Sequence, residues 1–168
     1  PYFYLPGGRV KFGETAEEAV IREVEEELNI TPKIIRPLWL NQAFFKEDVD
    51  NLNYHELCIY FLIDITNTKL LENGEKFTLL ERHHRHDFEW LEFDRLKNEY
   101  FYPLFLKEEI FNLPQALTIR EEHEYLYNFQ FDHTEGGNGD DRLKMRTALH
   151  DLHVQRALPL RGLHGDQR

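Results

Sequence analysis

The 168-residue chain carries 31 Asp and Glu against 20 Lys and Arg, a formal net charge of −11. That length supports one domain with a core of its own and hardly two, and the acidic balance argues against tight non-specific nucleic-acid binding, which needs surplus basic side chains to neutralise phosphates. No apolar run is long enough to span a membrane and nothing resembles a secretion signal, while a lone Cys58 excludes an intrachain disulfide and suits a reducing compartment, so a cytoplasmic location is expected by default.

In chain order, the aromatic run Tyr2 to Leu5 predicts a short strand that ends at Pro6. Gly7 and Gly8 follow, and paired glycines let the backbone turn sharply and approach a ligand because no Cβ intervenes. After a second break at Gly13, Thr15 with Glu18 three residues on forms a capping box, which starts a helix at Ala16. Asn29 ends it, since asparagine tolerates the left-handed conformation of a helix C-cap. Ala16, Ala19, Val20, Val24 and Leu28 fall on one apolar arc, as packing against a sheet requires.

The glutamates of this helix are the unusual feature. On charge alone, Glu17, Glu18, Glu23, Glu25, Glu26 and Glu27 read together as the solvated face of an acidic surface helix. Glu23, Glu26 and Glu27, at i, i+3 and i+4, share an arc of roughly 100° that overlaps the side of Ala16 and Ala19. Like charges held that close and partly turned inward either protonate or are neutralised by a cation, and oxygen-only donors favour a hard divalent ion such as Mg²⁺ or Mn²⁺.

Beyond the helix, Lys33 to Phe45 predicts a strand with an edge or bulge at Pro37, and Lys46 to Asn53 a polar loop. The near-continuous apolar run from Leu57 to Ile63 predicts a central strand over Tyr54 to Ile65, with Cys58 as a small buried residue of it. Thr66 to His86 reads as a long loop with an Asn73-Gly74 turn. In it His83, His84 and His86, with Arg82 and Arg85, form a dense cluster that reads as solvated rather than as a metal site. Phe88 to Leu91 predicts a strand, Phe93 to Lys97 a short helix and Pro103 to Phe111 a better one, and Tyr100, Phe101, Tyr102 and Phe105 read as packing aromatics rather than a stacking platform. The whole is an α+β arrangement, an α/β/α sandwich with a mixed sheet between helices. Gly136, Gly137 and Gly139 then break the chain, and residues 141–168 hold six Lys and Arg against three Asp, reversing the sign of the charge. The expected organisation is a domain over 1–131 and a flexible or disordered basic tail over 132–168, the helical spacing of Met145, Ala148, Leu149 and Leu152 notwithstanding.

The segment from Gly8 to Ile30 resembles the Nudix box, G-x5-E-x7-R-E-U-x-E-E-x-G-U with U a bulky aliphatic residue. Gly8, Glu14, Arg22, Glu23, Val24, Glu26, Glu27 and Ile30 match. The one departure is Asn29 in place of the last glycine, the mildest replacement at a left-handed cap, costing about 1 kcal/mol or less. The resemblance implies the Nudix fold, here lacking one or more N-terminal strands because the chain enters the box almost at once, and a Mg²⁺-dependent hydrolase of nucleoside diphosphates linked to another group. It implies that the Gly7 carbonyl with Glu23, Glu26 and Glu27 holds metal, that Arg22 orients Glu23, that Glu23 can take a proton from the attacking water, and that Gly8 and Glu14 order the loop. A further base from Glu72, Glu75 or Glu81 is left open. A homodimer is compatible with this reading, and neither a membrane nor tightly bound nucleic acid is expected as a partner. Two rivals stand beside it: a Nudix-fold binding or regulatory module without hydrolysis, and an isopentenyl diphosphate isomerase, which would need Cys58 as nucleophile. No downstream proline or tyrosine stands where the ADP-ribose or dinucleoside polyphosphate subgroups place one, so oxidised deoxynucleotides, nucleotide sugars and nucleoside triphosphates all remain candidate substrates.

Overall fold

The apolar run around Cys58 becomes the spine of the structure, a computed structural model that describes residues 3–46, 52–123, 144–151 and 158–162. In chain order the elements are β1 (Phe3–Tyr4), β2 (Gly7–Arg9), α1 (Ala16–Leu28), β3 (Lys33–Lys46), β4 (Asn53–Asp64), a 3-10 turn at Leu70–Asn73, β5 (Lys76–Glu81), β6 (His84–Leu91), α2 (Phe93–Leu96), β7 (Phe101–Tyr102), α3 (Leu106–Glu109), β8 (Thr118–His123), β9 (Lys144–Asp151) and β10 (Leu158–Gly162). They form two mixed five-stranded sheets, one in the order β5-β6-β10-β1-β7, the other β2-β9-β4-β3-β8. Among the described residues no helix is long and apolar enough to cross a membrane.

Because successive side chains of a strand point to opposite faces, a stretch of strand buried on both sides must be apolar throughout, as β4 is from Leu57 to Ile63. Phe61 and Ile63 meet Val20, Val24 and Leu28 of α1, with Phe88 and Trp90 of β6 closing that core. Cys58, Tyr60 and Leu62 face the other way, into a second core with Trp39, Leu96, Phe101, Phe105, Leu106 and Ile110. Full burial of a Val or Leu side chain contributes about 1.5–3 kcal/mol, so the three apolar residues of α1 are enough to fix that helix against the sheet. Pro37 falls at a register shift between β3 and β4, as the sequence predicts. The thiol of Cys58 is free and buried.

Three expectations are corrected. The loop over Thr66 to His86 is largely structured: β5 and β6 form a hairpin closed at Glu81 and His84, with Arg82 at a positive φ of 54°. A two-residue hairpin favours such left-handed backbone, normally signalled by Gly or Asn, and an arginine gives no such signal. The histidines are therefore not all solvated. His83 and His84 are exposed, but His86 is buried on β6 and pairs with Glu81 through Nε2 and Oε2 at 2.9 Å.

The helix expected over Pro103 to Phe111 is regular only at Leu106–Glu109. At its start the Phe105 amide, one of the first-turn donors that have no acceptor within a helix, donates to the Glu122 carboxylate at 3.1 Å. The flexible tail expected over 132–168 also differs where it is described. There the backbone is strand: β9 lies between β2 and β4, and β10 between β1 and β6. The far edge of an apolar central strand leaves backbone donors and acceptors that need a partner, and β9 supplies it. The rest of that segment, and most of the loop expected over Lys46 to Asn53, lies outside the described residues.

Candidate active site

The capping box fixes where α1 begins. Thr15 Oγ1 accepts from the Glu18 amide at 3.2 Å and Glu18 Oε2 accepts from the Thr15 amide at 2.8 Å, so the Glu18 carboxyl sits below its ordinary pKa, chiefly through that backbone bond. At the other end Asn29 adopts φ 55° and ψ 35°, and its amide donates to the Glu25 carbonyl at 3.2 Å. The asparagine thus performs the glycine's task. Between these caps the helix presents its glutamates in three environments: Glu17, Glu18 and Glu25 are exposed, Glu23 and Glu26 half-buried, and Glu27 only 3 % exposed.

Arg22 organises the turn that precedes the helix. Its Nε and Nη2 donate to the two oxygens of Glu14 at 2.7 and 3.0 Å, a bidentate pair. Nη1 donates to Glu23 Oε1 at 2.5 Å and, more weakly, to Glu26 Oε2 at 3.3 Å, and Nη2 also reaches the Arg9 carbonyl at 3.0 Å. Glu14 completes the circuit by accepting from the Lys11 amide at 2.8 Å. These hydrogen bonds, Arg22 foremost, hold the Glu14 carboxyl at about 2, and Glu14 foremost raises Arg22 above its already high value. The loop from Arg9 to Glu14 is therefore tied to the helix at both ends. Arg22, Glu14 and Glu23, all residues of the box, are thus joined directly; the Arg9 carbonyl and Lys11, whose Nζ lies 3.8 Å from Glu26 Oε1, are additional members that box spacing does not reveal.

Gly8 sits directly against Glu23. A Cβ built there would overlap the Glu23 carboxylate, so only glycine lets that carboxylate lie flat against β2. Gly7, at φ 150°, takes a backbone conformation that side chains disfavour. Of the metal donors expected from the sequence, Glu23 and Glu26 turn onto Arg22, while Glu27 is buried on the same helix. Among the described residues no three His, Cys, Asp or Glu side chains converge closely enough to hold an ion. By donor chemistry the set fits a hard divalent cation: three carboxylates on one side of a helix, one of them buried, beside a glycine surface that a side chain would fill. Of the candidate additional bases, Glu81 is engaged by His86, while Glu72 and Glu75 are exposed. Cys58, on β4 and buried, is ill placed to be a nucleophile.

The NUDIX domain profile matches residues 1–108. The chain is 40 % identical over 68 residues to an ADP-ribose pyrophosphatase of Methanocaldococcus jannaschii, covering 40 % of this chain and 38 % of that protein. It is 57 % identical over 29 residues to the 8-oxo-dGTP diphosphatase of Escherichia coli, 17 % of this chain and 22 % of the relative. A putative nudix hydrolase 1 of Caenorhabditis elegans is 41 % identical over 51 residues, 26 % and 14 % respectively. The matched stretches span well under half the length of each of these curated relatives.

Proposed function

The chain belongs to the Nudix family, and from that premise we propose that it is a Mg²⁺-dependent pyrophosphohydrolase of nucleoside diphosphate derivatives, with Mn²⁺ as an alternative ion. The observation that carries the reading is the braced position of Glu23, pressed on Gly8 and held by Arg22, beside Glu26 and the buried Glu27 on the same helix. Nudix hydrolases are generally dependent on a divalent metal. Glu23, Glu26, Glu27 and the Gly7 carbonyl would hold it here. Once bound, such an ion offsets charge on the phosphoryl oxygens and lowers the pKa of a water molecule.

The chain's own groups supply the rest. Arg22 fixes the orientation of Glu23 through its Nη1 bond, and Glu14 fixes Arg22 through two more, so that the carboxylate is positioned before substrate arrives. Glu23 then accepts a proton from the attacking water at a carboxylate oxygen. Lys11, close to Glu26 on the same turn, adds positive charge where substrate phosphates approach. A cytoplasmic setting, suited to the lone buried thiol, belongs to this reading.

The test is a Mg²⁺-dependent screen of nucleotides with products identified by mass spectrometry. The panel includes ADP-ribose and 8-oxo-dGTP, for which two relatives are named, alongside nucleotide sugars and nucleoside triphosphates. Cleavage at the pyrophosphate is expected, reduced at least about 100-fold in Glu26→Gln with the circular dichroism spectrum unchanged. Wild-type turnover in that variant contradicts the assignment. A binding or regulatory module is the second reading, favoured by the hold of Arg22 on Glu23 and Glu26. Ligand binding without phosphate-bond cleavage would select it.

A further inference from the structure

One large apolar side chain lies outside both cores and directly beside the glutamate helix. Phe12 is fully exposed, more so than any other large apolar side chain among the described residues. A single exposed apolar side chain is ordinary on a protein surface; what sets Phe12 apart is how its backbone is held. Phe12 and Gly13 form the corner of a turn closed by the Glu14 amide, which donates to the Lys11 carbonyl at 3.1 Å, with Gly13 at φ 84°. The Lys11 amide donates back to Glu14 Oε2 at 2.8 Å, and Arg22 grips the same carboxylate while also holding the Arg9 carbonyl. The backbone on either side of Phe12 is thus fastened to α1, so a rigid turn presents the ring to solvent.

The turn carries charge of the opposite sign to the helix it leads into. In a chain of net charge −11, Arg9 and Lys11 are both exposed, and Lys11 Nζ comes to 3.8 Å from Glu26 Oε1. Lys11 therefore points at the carboxylates, and the very next residue carries the ring. There is room at the corner, where a Cβ built on Gly13 meets nothing within 4 Å. Consecutive Cα atoms are about 3.8 Å apart, so the ammonium and the ring fall within the length of one nucleotide. A cation beside the glutamates suits the anionic end of a ligand, and an uncovered phenyl face suits a flat aromatic group attached to that end.

Resting on the reading of this chain as a nucleotide pyrophosphohydrolase, we propose that Lys11 and Phe12 form a rim subsite in which the lysine takes the diphosphate and the phenyl ring stacks on the base attached to it. Glu14 and Arg22 hold the turn in place before the ligand arrives, so binding requires only rotation of the ring, which exposed side chains complete within nanoseconds. Stacking uses a face that every base has, so the subsite favours diphosphates that carry a base over those that do not and discriminates poorly among bases. Phe12 is thereby a specificity residue for the class of substrate and takes no part in the chemical step.

The test measures, with Mg²⁺, equilibrium binding of a nucleoside diphosphate and of inorganic pyrophosphate to wild type, Phe12→Ala and Phe12→Trp, alongside kcat and KM on a hydrolysed nucleotide. Because this side chain packs in neither core, the three proteins should share one melting temperature. Phe12→Ala is expected to weaken the nucleoside diphosphate about tenfold, to raise KM by a similar factor, and to change pyrophosphate binding by less than about twofold. Phe12→Trp restores nucleotide binding to within about twofold of wild type, and its added indole emission falls with nucleoside diphosphate but not with pyrophosphate. Equal losses for both ligands, or wild-type nucleotide binding in Phe12→Ala, overturns the inference. So does a Phe12→Ala protein whose only change is a lower oligomeric state in sedimentation, which makes the ring an interface residue between copies. If wild type hydrolyses nothing, the proposed activity fails instead, and binding decides the subsite: a loss confined to the nucleoside diphosphate in Phe12→Ala supports it, and no preference of wild type for that ligand over pyrophosphate refutes it.

Discussion

Two clusters of charged and polar side chains lie on opposite faces of the same sheet, and they differ in how completely they are satisfied. Around Arg22, both nitrogens that face Glu14, the one that faces Glu23 and the loop carbonyl of Arg9 are all joined. Around Glu122, an amide oxygen and a guanidinium nitrogen are buried with no partner. The first cluster is finished as it stands and acts by holding other groups still. The second keeps one acceptor and one donor unsatisfied. A satisfied network rigidifies, whereas a half-satisfied one costs stability unless something binds there.

The contrast can be broken at either end. The largest effect is expected from Arg22→Ala, which frees Glu14, Glu23 and Glu26 from their common partner; kcat should fall by at least about 100-fold, with a stability loss of about 2 kcal/mol for charged hydrogen bonds at a partly exposed site. Retained activity in a urea-titrated, folded Arg22→Ala protein would show that positioning of Glu23 is unimportant. Gly8→Ala is next. Its Cβ meets the far end of a flexible side chain, so the melting temperature should hardly change while kcat drops by about tenfold or more as Glu23 is displaced; a large stability loss with unaltered kcat would reverse that argument.

Acid titration then separates the clusters by sign. The Glu14 carboxyl is held at about 2 against an ordinary 4.5, so its contribution to stability is present above about 4.5 and is lost as the pH falls toward 2. Glu14→Gln should flatten the fall in melting temperature across that window. Glu122 is shifted the other way, by burial. Its raised pKa means stability is greatest with the proton on and declines as pH rises through the folded value, so Glu122→Gln should gain on wild type toward neutral pH. Parallel pH profiles for both variants would contradict the two assignments together. The smallest effect is at the helix cap: Asn29→Gly relieves a left-handed asparagine and should add only a few tenths of a kcal/mol, read as a small rise in the urea midpoint.

The two clusters also differ in how far the chain itself discloses them. Gly8, Glu14, Arg22, Glu23, Glu26 and Glu27 lie within twenty residues, so helical spacing and a capping box suffice to place them, and the left-handed Asn29 follows from the same local chemistry. Asn41 and Glu122 are 81 residues apart in sequence and meet only through the parallel pairing of β3 with β8. A signal for them exists: Trp39, Asn41 and Ala43 alternate along β3, as do Glu56, Cys58 and Tyr60 along β4, so a polar residue stands at a core position of each strand. It becomes meaningful only once the strands are paired. The β5–β6 hairpin was hidden for a different reason, since its turn uses Arg82 where Gly or Asn would have announced it.

The claim on which the rest depends is that the inward-leaning glutamates of α1 bind a hard divalent cation. Titration calorimetry of the wild-type chain and of Glu26→Gln with Mg²⁺ and with Mn²⁺ measures it without any substrate. Saturable uptake by wild type, weakened at least about tenfold in Glu26→Gln and accompanied by loss of the Lys11 and Arg22 contacts to Glu26, is the predicted result; no uptake by either protein, or equal uptake by both, would contradict it.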